Sequence, residues 1–401
     1  MPSFATALTG LESNNTALNT IANNLANMST VGYKDQTDQF STLFYQQLNG
    51  GANSAVQVGV GTQIATTETD FSNGGVSGTN QATDMALQGN GFFVVDDHGQ
   101  QELTRAGDFT LSNTGALQTT DGASVMGYPA ANGNVSVGSG VAPIVLPLGQ
   151  TMAANATSTM TIQANLCASA STGSTVPAPI TLYDSLGDAH QATITFTKTA
   201  TNSWNYSIAL PTGDASGGAN TTGTMTFDGS GNLLTPAGNI SGISFTGLTD
   251  GASNMNFSWN PAGVSQTAAS SNVASATQDG YASGSYQGFS VQSDGTVQAS
   301  FSNGQKATVG QIAVATVANE QGLQATNNTA YTATTASGTA MIGTAGTAGR
   351  GTIEDQALES SNVDVSAEFS ALIVAQRAFE ANSKSVTTFD QATQEAINMI
   401  H

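Results

Sequence analysis

Apolar side chains near the start of the chain fall at Phe4, Leu8, Leu11, Leu18 and Leu25, with Asn15 and Ala22 in the intervening slots. The steps alternate between 4 and 3 residues. That is the a/d spacing of a heptad, a narrower stripe than a surface helix of a globular domain shows. A helix is therefore predicted over residues 1–30, ending where Val31-Gly32-Tyr33 breaks the pattern. The far end mirrors it: Leu372, Phe379, Val386, Thr393 and Ile400 recur every seven residues, interleaved with Phe369, Gln376, Ser383, Asp390 and Ile397. Ile373, Phe389 and Ala396 widen this second face. Ser361 or Asn362 is the expected N-cap, with Glu368 in the first turn where the helix dipole favours an acid.

Between the helical ends the period changes to two, in Ile194/Phe196, Trp204/Tyr206/Ile208, Met255/Phe257/Trp259, Ile312/Val314 and the run Phe92-Phe93-Val94-Val95. Asn-Gly and Asp-Gly pairs at 73–74, 90–91, 121–122, 228–229, 294–295 and 303–304 punctuate it, which is hairpin chemistry. The predicted class is mainly β with α-helical termini, its central strands forming antiparallel sandwiches or barrels. Residues 31–70 fit neither pattern and read as a linker. An Ala/Ser/Thr-rich stretch ending in Pro177-Ala178-Pro179 reads as a boundary, and a second soft stretch covers Ala268–Ala276. The expected organisation is nested. Residues 1–30 and 362–401 form a helical coiled-coil domain and 31–70 a contact segment. Residues 71–145 and 281–361 form a split β domain, and 146–280 an inserted β-barrel or sandwich.

Composition narrows the function. Of 401 residues, 27 are acidic and 7 basic, a formal net charge of −20. The few Lys and Arg are scattered, which excludes the clustered cations that nucleic acid or an anionic membrane surface requires. No apolar run approaches the roughly 18 residues of a membrane span, and Met1-Pro2-Ser3-Phe4 lacks the basic start of a Sec-type signal peptide. A single cysteine, Cys167, rules out an internal disulfide, and His98, His190 and His401 show no ligand spacing. Residues 1–30 carry one charge, Glu12. A narrow seam with an uncharged back suits a helix packed among many copies of itself, where like charges would repel in every repeat. A plain helical hairpin capping a β domain is the alternative.

Four strings carry a resemblance. Ile21-Ala22-Asn23-Asn24-Leu25-Ala26-Asn27 with Ser29-Thr30-Val31-Gly32-Tyr33-Lys34 resembles the N-terminal signature of the bacterial flagellar rod, hook and hook-junction proteins. Leu358-Glu359-Ser360-Ser361-Asn362-Val363-Asp364-Val365, then Ala375-Gln376-Arg377-Ala378-Phe379-Glu380-Ala381-Asn382, resembles their C-terminal signature. Leu87–Val95 and Thr104–Phe109, the latter continuing to Leu117, are similar to the β motifs between. Thr181-Leu182-Tyr183-Asp184-Ser185-Leu186-Gly187-Asp188 resembles the extra outer domain of the hook branch, which the shorter rod proteins lack.

The resemblance implies a structural subunit of a curved tube that joins the basal-body rod to the filament and acts as a universal joint. Its partners would be further copies of itself, the distal rod protein, the hook cap, the hook-filament junction proteins and the flagellar export apparatus. Its place would be outside the cell, reached without a cleaved signal peptide. No enzyme activity, cofactor or metal is expected. Leu8, Leu11, Leu18, Leu25, Phe369, Leu372, Phe379, Val386 and Ile400 are the expected inter-subunit seam. Asn14, Asn19, Asn23 and Asn24 are candidates to line the central channel, or alternatively to bond helix to helix. A distal rod or junction protein is the alternative within the family, and a β-rich adhesin or polysaccharide-acting enzyme outside it.

The remaining motifs read as structure. Asp96-Asp97-His98-Gly99 reads as a hairpin turn. Asp228-Gly229-Ser230-Gly231-Asn232 lacks the downstream Glu of a calcium loop. Glu354, Asp355 and Glu359 read as solvated or capping acids before the last helix, and Cys167 as a small inert side chain.

Overall fold

The two ends of the chain are helical: α1 spans Pro2–Ala26 and α2 spans Val365–Asn398. At 1.5 Å per residue they are about 37 and 51 Å long. The computed structural model describes residues 2–48, 56–131 and 133–399; Ile400 and His401 of the expected seam and terminus lie outside them. The N-cap of α2 is neither Ser361 nor Asn362. Asp364 takes that place, its carboxylate accepting from the backbone N–H of Ser366 (2.8 Å) and Ala367 (3.2 Å). Asn362, two residues before the cap, has its Oδ1 accept from the Asp35 N–H at 2.8 Å.

The chain divides into two compact units, one of residues 1–148, 289–299 and 307–401, the other of 149–288 and 300–306. In the first, the stretch read as a linker is a β arm. Gln36–Thr42 pairs antiparallel with Thr62–Thr69, and Tyr45–Leu48 with Val56–Gly59. In Gln36–Thr42 and Thr62–Thr69 the half-buried positions are mostly polar (Gln36, Asp38, Ser41, Thr62 and Thr69), so no apolar alternation betrays them. The central strand Phe92–Asp97 pairs with Gln100–Thr104, Ser124–Ala131 and Lys306–Thr316. Its apolar run is buried on both faces: Phe93 and Val95 join one cluster with Leu117, Val125 and Ile312, while Phe92 and Val94 join another with Leu103 and Tyr331. A strand covered on both sides loses the polar half of the period-two pattern. His98-Gly99 turns the hairpin with φ of +52° and +93°.

The second unit is a two-sheet sandwich; among the described residues no ladder closes it into a barrel. One sheet has five strands, in the order Thr175–Tyr183, Ala189–Ala200, Ser203–Ala209, Thr222–Phe227 and Leu233–Thr235. The other has six, centred on Thr159–Cys167. Burial alternates strictly, as in Trp204, Tyr206 and Ile208, and the inner faces meet around Trp204 and Trp259. The Trp204 indole donates to Gln266 Oε1 at 2.9 Å, and Gln266 donates on to Asn202 at 2.8 Å, so a buried polar chain joins the sheets. Pro177 and Pro179 mark no boundary. They lie in an edge strand facing solvent, the position where a residue without N–H is tolerated in a sheet. Asp228 is a turn residue, accepting from the N–H groups of Ser230 and Asn232.

Asp279 clamps the start of the strand Thr159–Cys167, accepting from the backbone N–H of Ser158 (2.8 Å) and Thr159 (2.9 Å) and from the Ser158 hydroxyl. Burial acts to raise its pKa, but these hydrogen bonds outweigh it and hold the carboxyl at about 2. The stability it contributes is present above its ordinary value near 3.8 and is lost as pH falls from there towards about 2. An Asp279→Asn variant is therefore expected to show a shallower acid limb. Because Trp204 and Trp259 both sit in this core, fluorescence-detected unfolding between pH 2 and pH 5 reads this unit alone. An unchanged acid limb would show that the clamp is too solvent-screened to matter.

Candidate assembly interface

α1 and α2 pack antiparallel. Gly10 lies against Asn382, and Asn24 donates to Glu368 Oε1 at 3.4 Å, so a step of 14 residues forward on one helix is 14 back on the other. A Cβ on Gly10 would stand 2.9 Å from the Asn382 amide nitrogen, so the Asn382 side chain packs directly on the Gly10 backbone. On this register the first turn of α1 reaches only to about residue 390, and every residue from 387 to 399 of α2 is exposed.

A different face of α1 is fastened to the β arm by side-chain hydrogen bonds. Ser13 donates to Thr62 O (3.4 Å), Thr20 to Asp38 Oδ2 (2.8 Å) and Asn24 to Gln36 O (2.8 Å). Part of the uncharged polar back of the helix, at Thr20 and Asn24, is thus a docking surface for its own chain. Asn24, expected at a channel wall, is fully buried and is corrected here. Its Oδ1 accepts from the Tyr33 hydroxyl (3.0 Å) and the Gln36 N–H (3.2 Å), which leaves it no face for solvent. Asn23 is exposed but donates to the Tyr33 hydroxyl at 3.1 Å, Asn14 donates to Gly10 O at 2.7 Å, and Asn19 is exposed. Burial, with the charges of Asp35 and Glu368, pushes the Tyr33 phenol up to about 12.

The expected seam residues are only partly covered by the chain itself. Leu8 and Phe369 are 43% and 53% exposed, Phe379 is also exposed, and Leu11, Leu18, Leu25, Leu372 and Val386 are half-buried. Beside them Ile373 and Val374 stand 53% and 68% exposed, with Phe4, Phe389 and Ile397 further along. Scattered apolar residues on a surface are ordinary; here exposed ones recur along both paired helices.

Where the helices leave the β structure, three charges meet out of water. Glu359 is fully buried, its Oε1 2.6 Å from Lys34 Nζ and its Oε2 3.3 Å from Arg105 Nη1. It was expected to be solvated, so this too is a correction: the acid that the sequence places just before the last helix points inward. Glu359 Oε1 also accepts from the Gly74 N–H (2.9 Å). Lys34 donates to Ser72 O (2.6 Å), and Arg105 donates to Leu87 O (3.2 Å) and Gly89 O (2.8 Å) while its guanidinium lies 5.4 Å from the Phe92 ring. Burial lowers the pKa of both cations, against the opposing pull of Glu359. Gly32 has φ +67°, and a Cβ there would fall 2.5 Å from the Ala106 backbone nitrogen, so the turn after α1 is pressed onto the Arg105 segment. The two terminal strings and both central β strings therefore converge on one knot, through Lys34, Glu359, Arg105 and the Leu87 and Gly89 carbonyls. One signal could have exposed it. Lys34 and Arg105 are two of only seven basic residues, and each sits in a string otherwise made for packing.

Residues 4–34 match the family described as flagella basal body rod protein, and 86–165 the flagellar hook protein FlgE/F/G D1 domain. Residues 153–281 match the flagellar basal body protein FlaE D2 domain, and 354–399 the flagellar basal body rod FlgEFG protein C-terminal region. Among curated relatives, flagellar hook protein FlgE of Escherichia coli K12 is 33% identical over 99% of this chain and 99% of that protein. The chain belongs to the flagellar hook protein family. The hook proteins FlgE of Salmonella typhimurium LT2 and Treponema pallidum are 34% and 30% identical, each aligned over at least 99% of both chains. In fold, the crystal structure of Helicobacter pylori flagellar hook protein FlgE2 covers 71% of this chain and 100% of its own, with a TM-score of 0.56 at 14% identity. The four family matches take in most of both helices, the three charged residues of the knot and most of the sandwich, while the β arm and the strand Lys306–Thr316 are covered by the full-length alignments to the hook proteins. No helix among the described residues is long and apolar enough to cross a membrane.

Proposed function

We propose that this flagellar hook subunit assembles with copies of itself into a helical tube through the apolar positions that α1 and α2 leave partly open. The observation that carries the reading is their exposure: of eight expected seam residues, from Leu8 to Val386, none is fully buried and Leu8, Phe369 and Phe379 are exposed. Burying apolar area at about 25 cal/mol per Å² gives such a face a strong drive to associate. Contacts that repeat head to tail without closing build an open filament rather than a ring. In this reading the paired helices form the inner layer, the β arm touches neighbouring subunits, the split β domain makes the wall and the inserted sandwich the outer surface. Asn14, Asn19 and Asn23 would face the bore. Apolar helix seams would hold while outer Ser/Thr/Asn surfaces exchange hydrogen bonds with water and slide, which lets a bent tube rotate as a universal joint. The distal rod protein, hook cap, junction proteins and export apparatus would be its partners, outside the cell.

Electron microscopy of the concentrated full-length protein tests this. Tubes are expected, with the α2 row between subunits and Asn19 towards the bore. Dispersed particles at every concentration, or tubes in which the helices face solvent, would overturn it.

A further inference from the structure

The sandwich holds a side-chain cluster with no part in the assembly face. His190 is nearly buried, and its Nε2 lies 3.3 Å from Asp184 Oδ2 and 3.2 Å from Asp250 Oδ2. Its other nitrogen, Nδ1, lies 3.2 Å from Asp214 Oδ2. One ligand atom from each of Asp184, His190 and Asp250 falls within 4.8 Å of the others.

Two features set this cluster apart from an ordinary ion pair. A single Nε2 faces two carboxylate oxygens at once, whereas an N–H directs its proton at one of them. Charge-assisted N–H···O bonds run to about 2.7–2.9 Å, and both lengths here are longer. They match the edges of a tetrahedron around an ion with bonds of about 2.0–2.1 Å, which are roughly 3.3–3.5 Å. Charge points the same way. Three carboxylates around one imidazole leave a net negative charge even when the ring is protonated, and a dication offsets more of it.

The surroundings are built for ligation. Asp184 is fully buried, and its Oδ1 accepts from the backbone N–H of Leu186 (2.9 Å), Gly187 (2.7 Å) and Asp188 (2.9 Å), which leaves Oδ2 aimed at the cluster. An Nδ1–H donated to Asp214 presents the Nε2 lone pair, the carboxylate–histidine arrangement that orients metal-bound imidazoles. Asp250 reaches solvent, giving an entry path and room for a water.

We propose that Asp184 Oδ2, His190 Nε2 and Asp250 Oδ2 bind one divalent transition cation of the zinc class, with Asp214 as a positioning residue. Imidazole with carboxylates selects this class over the all-oxygen preference of calcium and magnesium. The role is structural. Asp184 and His190 flank the hairpin turn of the five-stranded sheet. Asp250 follows the strand Ile240–Leu248 of the six-stranded sheet, and Asp214 precedes Ala215–Ala219 of the same sheet. The ion would staple the two sheets at one end.

The full-length protein, stripped with chelator and dialysed, is titrated with Zn²⁺ and with Co²⁺ in millimolar Mg²⁺, which occupies the many exposed carboxylates. The expected result is one saturable equivalent, visible cobalt bands of a four-coordinate site, and a higher unfolding midpoint by tryptophan fluorescence. Asp250→Asn should cut the affinity at least tenfold while circular dichroism shows the sandwich intact, and Asp214→Asn by about 10–100-fold. The variant His98→Gln should change nothing. No saturable equivalent, unchanged affinity in Asp250→Asn, or a signal that follows His98 would each overturn the proposal; the cluster would then be an imidazolium held among carboxylates.

Discussion

Replacing Glu359 with alanine is expected to destabilise the first unit by about 3–5 kcal/mol, the usual cost of removing one partner from a buried ion pair. Both Lys34 and Arg105 would be left charged in a place without water. Each cation keeps backbone carbonyl acceptors, Ser72 for Lys34, Leu87 and Gly89 for Arg105, which is why the loss should not exceed that range. Glu359→Gln retains an acceptor and should fall between parent and alanine. Urea unfolding followed by circular dichroism measures the effect, with tryptophan fluorescence as an internal reference because both tryptophans lie in the other unit. The consequence for assembly follows from position. The knot ties the segment after α1, the Arg105 turn and the segment before α2, so loosening it frees both helices from the β structure that carries them. A loss below about 1 kcal/mol would mean that water enters the site and that the charges are not isolated.

A second large effect is expected from the double variant Ile373→Asp/Val374→Asp. Both side chains are more than half exposed in the single chain, so the change should leave the fold intact. Burying one aliphatic side chain is worth about 1.5–3 kcal/mol, which is roughly a 10–150-fold factor in an association constant. Losing two, and placing carboxylates in the contact, should raise the concentration needed for tube formation by at least about 100-fold. Sedimentation of assembled material against total protein reads this directly. Unchanged fluorescence and circular dichroism would confirm that the subunit is folded. Normal assembly of this variant would move the contact face away from α2.

These two expectations rest on different kinds of legibility. The heptads at both ends could be read from sequence because paired helices that bury one narrow stripe repeat its apolar positions every 3.5 residues. The strands of the sandwich were equally plain in Trp204, Tyr206 and Ile208, since a sheet with one buried face must alternate. The strands Gln36–Thr42 and Thr62–Thr69 of the β arm were not, because the face they turn to α1 is mostly polar and held by hydrogen bonds, which leaves no apolar period to show. The run Phe92–Val95 lost its alternation for the opposite reason, being buried on both faces.

Sequence alone thus determined the class, the helical ends and the family, all of which depend on local period or on short continuous strings. Only the tertiary structure decided what the isolated polar residues do. Asn24 turns from the helix surface into its own β arm, Glu359 turns inward between Lys34 and Arg105, and Asp184, His190, Asp214 and Asp250 meet at one end of the sandwich. Each of these is a contact between residues far apart along the chain. A hydrogen bond or an ion pair is made by one atom with one partner and leaves no repeat behind, whereas burial of a face must be signalled at every turn.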